Sequence, residues 1–326
     1  MTGFGDQWLQ NGIACVGDSL TEGFGGGGVS YPAVLEEKIR EMLKKTGKAE
    51  GREAAERKTA EKGMSGLSAD EDSYRVENLG VCGEDTFTIL GRSGALPFVL
   101  EEAVRIPAGR ERIPVPLKSP LCSETCLLVY GNAGVNPVRI GGAEGRLTLR
   151  GAFFNEQYFF ERTDGGEALT VPAGTKIETR AMRECRKLLP VVLMGANGFF
   201  ENAEDLILQH RTLLSFYAAP EKEALVLGMP IRSRREMRDL EEAMAAAFGD
   251  RYVNLREYLS TRGLADAGLS PTERDRRDME AGRVPESLRS DEVHLNRYGY
   301  RVMGGLVFRK LFPAEDSCAD VPGEVR

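Results

Sequence analysis

Ser19, Asp291 and His294 are the side chains in this sequence whose types and positions suit acyl transfer. That chemistry needs a nucleophile, a base to take its proton, a group to orient the base, and donors for the developing oxyanion. Ser19 follows the apolar run Ile13–Val16, closed by Gly17 and Asp18, so it sits on the turn beyond a buried strand. Open α/β sheets carry their chemistry at that edge; ordinary turn serines also occupy such positions. The chain has only two histidines, His210 and His294, and an imidazole base must be one of them. His210 falls on the apolar stripe Leu206, His210, Leu213, Tyr217 of an expected helix and reads as a packed side chain. His294 lies in a loop before the last helix, where it can reach the sheet edge. Asp291, three residues earlier, can bond one imidazole nitrogen and fix its tautomer, or serve as a turn carboxylate on the approach to that helix. Glu292 is expected to point away.

The elements that must position these residues alternate in type. Strands are expected at Ile13–Val16, Tyr74–Asn78, Leu188–Met194, Ala224–Met229 and Tyr252–Leu255. Pro32 opens a helix with Leu35, Ile39, Met42 and Leu43 on one face. Asp205–Tyr217 and Arg235–Phe248 supply two more, and Asn296 caps a last one carrying Val302, Met303, Leu306, Val307 and Leu311. This alternation predicts an α/β fold with a doubly wound, flavodoxin-like, five-stranded parallel sheet and helices on both faces. Residues 262–290 read as a polar loop. Residues 44–72 read as a solvated helix extension or a mobile excursion. Across 92–184 the helical period vanishes, and short runs such as NPVRIGG, GRLTLRG and EQYFFER predict an inserted antiparallel β subdomain. The expected organisation is a discontinuous core, 1–91 with 185–326, and an insertion, 92–184, with both its ends near the active edge, where it would shape the substrate cleft.

A net charge of −7 argues against a nucleic-acid or anionic-membrane surface. No run approaches the roughly 18 apolar residues of a membrane span. The start MTGFGDQWLQNG has neither a basic nor an apolar signal region, so a cytoplasmic location is expected. The six cysteines (15, 82, 122, 126, 185, 318) form no CxxC pair and read as reduced thiols, not as a metal or disulfide framework. Gly23, Gly25 and Gly28 spell GxGxxG. However, the Ser19 turn separates them from the strand, which favours a flexible loop beside a pocket over a dinucleotide site.

Gly17-Asp18-Ser19-Leu20, Asn78 to Gly83, Gly195-Ala196-Asn197 and Asp291-Glu292-Val293-His294 fall in this order at strand ends and in a late loop. The set resembles the GDSL/SGNH hydrolase family of esterases and lipases over roughly 10–91 and 185–312, with the β insertion outside the shared core. The resemblance implies a Ser19–His294–Asp291 triad working without metal or cofactor. It also implies an oxyanion hole made by the Ser19 N–H, a glycine N–H and the Asn197 amide. Gly83 is the matching glycine because it precedes Glu84-Asp85-Thr86, and Gly80 competes with it. Asp18 is expected to hold the nucleophile turn. One position departs from the family: Gly198 stands where an Asp usually supports the third-block loop. The expected activity is serine ester hydrolysis through an acyl-Ser19 intermediate. With no apolar lid in the sequence, the substrate expected is a short-chain, acetyl ester on a carbohydrate or related small molecule. The alternatives are a lysophospholipase or thioesterase of the same family, and a binding protein on a hydrolase scaffold.

Overall fold

The computed structural model describes residues 11–56, 74–120, 126–151 and 155–313. Ile13, Ala14, Cys15 and Val16 are all fully buried, as a strand covered on both faces must be. They form β1 (Ile13–Gly17), followed by a single helical turn, α1 (Ser19–Glu22), and the long α2 (Tyr31–Glu56). β2 (Val76–Gly80) and α3 (Thr86–Ser93) come next. A β-rich stretch follows with β3 (Val99–Leu100), β4 (Val104–Ile106), β5 (Ile113–Pro114), β6 (Leu117–Lys118), β7 (Val138–Ile140), β8 (Ala143–Arg150), β9 (Gln157–Arg162), β10 (Leu169–Val171) and β11 (Ile177–Glu178). The chain then returns with β12 (Leu189–Leu193), α4 (Ala203–Phe216), β13 (Leu225–Leu227), α5 (Arg234–Phe248) and β14 (Tyr252–Val253). It closes with α6 (Leu255–Thr261), α7 (Gly263–Asp266), α8 (Glu273–Glu280) and α9 (Arg297–Leu311).

The fold is mixed α/β. One parallel sheet runs β14-β13-β12-β1-β2. The period of two along its strands sorts their side chains into two apolar clusters. Ile13, Cys15, Val191 and Leu193 pack with Tyr31, Leu35 and Ile39 of α2 and Met303 of α9. Ala14, Val16 and Val192 pack with Ile89 of α3, Leu213 of α4 and Met244 of α5. The β-rich stretch has its own cluster around Phe98, Val138, Leu147 and Phe160. Its main sheet is antiparallel, in the order β11-β7-β8-β9-β5, beside two-stranded pairs β10-β4 and β3-β6.

Three expectations are corrected. Residues 262–290 are not a loop: they hold α7 and α8. α8 (ERDRRDME) has no apolar stripe for periodicity to detect, and a reciprocal capping box between Thr272 and Asp275 starts it instead. TFTILGRS is α3, so the expected insertion boundary at 92 falls inside a helix, one whose Ile89, Leu90 and Arg92 are buried. The ends of the insertion also do not lie at the active edge. Gly94 packs on Met182 and on Phe216, the last residue of α4, because α3 runs back towards the amino side of the sheet and the exit leads into the start of β12.

α2 extends the chain as helix to Glu56, and residues 57–73 of the expected excursion lie outside the described residues. Cys15, Cys82 and Cys185 are free thiols; Cys122 and Cys318 lie outside the described residues. Among the described residues no helix is long and apolar enough to cross a membrane.

Candidate active site

Ser19 opens α1, which rests directly on the strand ends because two glycines let it. A Cβ on Gly17 would stand 2.1 Å from the Leu193 carbonyl oxygen, and one on Gly80 would stand 2.0 Å from the Glu22 nitrogen. Gly80 is therefore spent on packing. Asp18 caps the turn, its Oδ1 accepting from the Leu20 N–H at 3.0 Å. Burial pushes the Asp18 carboxyl up to about 7, with the Leu20 N–H pulling the other way.

His294 reaches Ser19 from the far end of the chain, its Nε2 lying 2.8 Å from Ser19 Oγ. Its Nδ1 lies 2.8 Å from Asp291 Oδ2. A carboxylate only accepts, so Nδ1 carries the proton and Nε2 presents its lone pair to the serine hydroxyl. The other oxygen of Asp291, Oδ1, accepts from the Val293 and His294 N–H groups, both at 2.8 Å. Asp291 thus fills both roles its position allowed, turn carboxylate and imidazole orienter. Burial raises its carboxyl, but those two N–H groups and the imidazole outweigh it and hold Asp291 below its ordinary value. His210 is fully buried and bonded through Nδ1 to the Leu206 carbonyl at 2.8 Å; burial pushes it down to about 4. It takes no part in the site.

Gly83 has φ +76°, a left-handed conformation that favours glycine, and a Cβ there would stand 2.7 Å from the ring of Tyr130. Among the described residues no acceptor engages the Gly83 or Ser19 N–H. One N–H of the Asn197 amide goes to the Glu84 carbonyl at 2.9 Å, which ties the third block to the residue beside Gly83 and leaves the second N–H for another acceptor. A Cβ on Gly198 would meet nothing within 4 Å. Its loop is instead held by Thr86 Oγ1 at 2.9 Å and Gln209 Nε2 at 3.0 Å, both donating to the Phe199 carbonyl. The glycine run closes on the His294 loop: a Cβ on Gly25 would meet Ser290 Oγ at 2.0 Å.

Several residues of the site carry no motif in the sequence. Arg92 and Glu84 form a buried pair, Nη2 to Oε2 at 2.7 Å. Arg92 also donates to the Ala133 carbonyl at 3.1 Å and the Gly17 carbonyl at 3.4 Å. One guanidinium thereby joins the β1 end, the Gly83 loop and the β-rich insertion. Phe24 lays its ring 4.6 Å from that of His294. Phe24, Tyr130, Phe199 and Val293 are all exposed apolar side chains that the sequence shows only as scattered loop residues. Compared with family models, curated proteins and solved structures, the chain matches none. The geometry itself is therefore what bears on function. Among the described residues no group of three or more His, Cys, Asp or Glu is gathered to hold a metal.

Proposed function

We propose that this chain is a serine ester hydrolase of the GDSL/SGNH type. The observation that carries the reading is the unbroken line Ser19 Oγ to His294 Nε2 to Asp291 Oδ2, with 2.8 Å at each step. In this mechanism Ser19 Oγ attacks the ester carbonyl as its proton passes to His294 Nε2. The new O–C bond gives a tetrahedral intermediate, and its oxyanion takes hydrogen bonds from the Ser19 and Gly83 N–H groups and the Asn197 amide. The bond to the alcohol oxygen breaks as His294 returns the proton to it. Water, deprotonated by the same imidazole, then cleaves the acyl-Ser19 bond. Asp291 stabilises the imidazolium formed in each half-reaction.

The strand order β2-β1-β12-β13-β14, with an apolar cluster on each face, supports a doubly wound, flavodoxin-like core for this reading. The exposed rings of Phe24, beside His294, and Tyr130, beside Gly83, suit a short acyl group and the face of a sugar ring. The test is hydrolysis of p-nitrophenyl acetate from pH 5 to 9 by the wild type and by Ser19→Ala. Turnover that falls on acidification, as the base becomes protonated, and that vanishes in the variant is the expected result. Equal slow rates in both proteins would favour the binding-protein alternative.

A further inference from the structure

A cleft of about 350 Å³ lies between the residue that precedes Asn197 and the residues that precede His294. Ala196, Val293, Arg232, Arg283 and Arg289 are among its walls. Ala196 precedes Asn197 and Val293 precedes His294, so the cleft adjoins the reacting centre. Arg232 and Arg283 are exposed and make no ion pair among the described residues. The side chain of Arg289 is only 9% exposed. Its Nη2 pairs with Asp278 at 2.9 Å and its Nη1 with Glu292 at 3.3 Å, but its buried Nε has no acceptor. A buried donor left unpaired costs free energy that a bound acceptor would return. Two glutamates also line the cleft: one oxygen of Glu236 takes the Ser233 N–H and hydroxyl while the charges of Arg283 and Arg232 act on its carboxylate, and the exposed Glu292 pairs with Arg289. Arg232 adds a backbone signal, holding φ +59° without being glycine.

We propose that this cleft binds a carboxylate carried on the alcohol half of the ester. The inference rests on the hydrolase reading. His294 must protonate the departing alcohol oxygen, so the alcohol half lies on the imidazole side, and the arginines line the cleft with Val293, the residue before His294. Guanidinium groups match a carboxylate in shape as well as charge. The substrate class is then an acyl ester of a hydroxy acid or of an acidic sugar.

The test compares 4-acetoxybenzoate with its neutral amide, 4-acetoxybenzamide, in the wild type and in Arg232→Gln/Arg283→Gln. Both substituted residues are exposed, and an unchanged melting temperature checks folding. The expected wild-type kcat/KM favours the carboxylate by about tenfold, carried in KM, and the ratio falls to near one in the variant. A wild type that cleaves both esters equally, or a variant that keeps the preference, overturns the proposal. If the wild type cleaves no ester, the hydrolase reading fails. Calorimetry with 4-hydroxybenzoate against 4-hydroxybenzamide then decides the cleft separately: carboxylate-selective binding lost in the variant supports it, and equal or absent binding overturns it.

Discussion

The carboxylate of Glu84 meets the guanidinium of Arg92 at 2.7 Å with both side chains buried, and the main-chain carbonyl of the same Glu84 holds the Asn197 amide. Breaking a buried pair leaves a charge without a partner, which typically costs about 3–5 kcal/mol. Arg92→Met is expected to destabilise the protein by about that amount in denaturant unfolding. Arg92→Met combined with Glu84→Leu should lose clearly less than the two single changes added together.

Asp291→Asn separates the two roles of that residue. An amide oxygen can still accept from the Val293 and His294 N–H groups and keep the turn. Its NH₂, turned to the imidazole, favours the wrong tautomer. The kcat for p-nitrophenyl acetate is expected to fall about 10²- to 10⁴-fold with little change in melting temperature.

Asn197→Ala removes a neutral donor whose strength does not depend on pH. The expected loss is about 10²- to 10³-fold in kcat, with KM nearly unchanged, measured by steady-state kinetics.

Gly83→Ala places a methyl group against the Tyr130 ring at a left-handed backbone position. Activity is expected to drop sharply. In a Tyr130→Ala background the steric part of the penalty goes and the conformational part stays, so the same substitution should cost less there. Equal losses in both backgrounds would show that the ring does not matter.

Acid stability has an identifiable source in Asp275. Burial raises this carboxyl, but the N–H and hydroxyl groups of Ser287 and Thr272 outweigh it and hold it down at about 2. The unfolded chain, with an ordinary value of about 3.9, binds the proton more readily. The stabilisation is therefore fully present above about pH 4 and is lost as pH falls towards 2. About 2 kcal/mol should disappear over that window. Urea melts at pH 2 to 5 should show a shallower acid loss in Asp275→Asn.

What was legible in the sequence was local. Ser19 is legible because Ile13–Val16 is apolar without interruption and Gly17 closes the run just before it. His294 stood out because the only other histidine lies on an apolar stripe, and that stripe is buried. α8 was hidden because its start is set by the Thr272–Asp275 box and not by burial. α3 was hidden because it is eight residues long and buried on nearly every side, so no polar face marks its period. Arg92 and Glu84 read as ordinary charged residues; only the fold brings them out of water together. The insertion's strands follow from alternation, but its attachment depends on the direction of α3, a helix that no polar face marks in the sequence.

That attachment separates anchorage from use. The insertion is rooted beside Gly94 and Met182, yet it presents Tyr130 at Gly83 on the opposite rim. The line from Ser19 to Asp291 is built wholly from the other part of the chain. Exchanging Tyr130 alone would re-cut the wall beside Gly83, whereas the Ala133 carbonyl held by Arg92 ties the insertion to the strand end before Ser19.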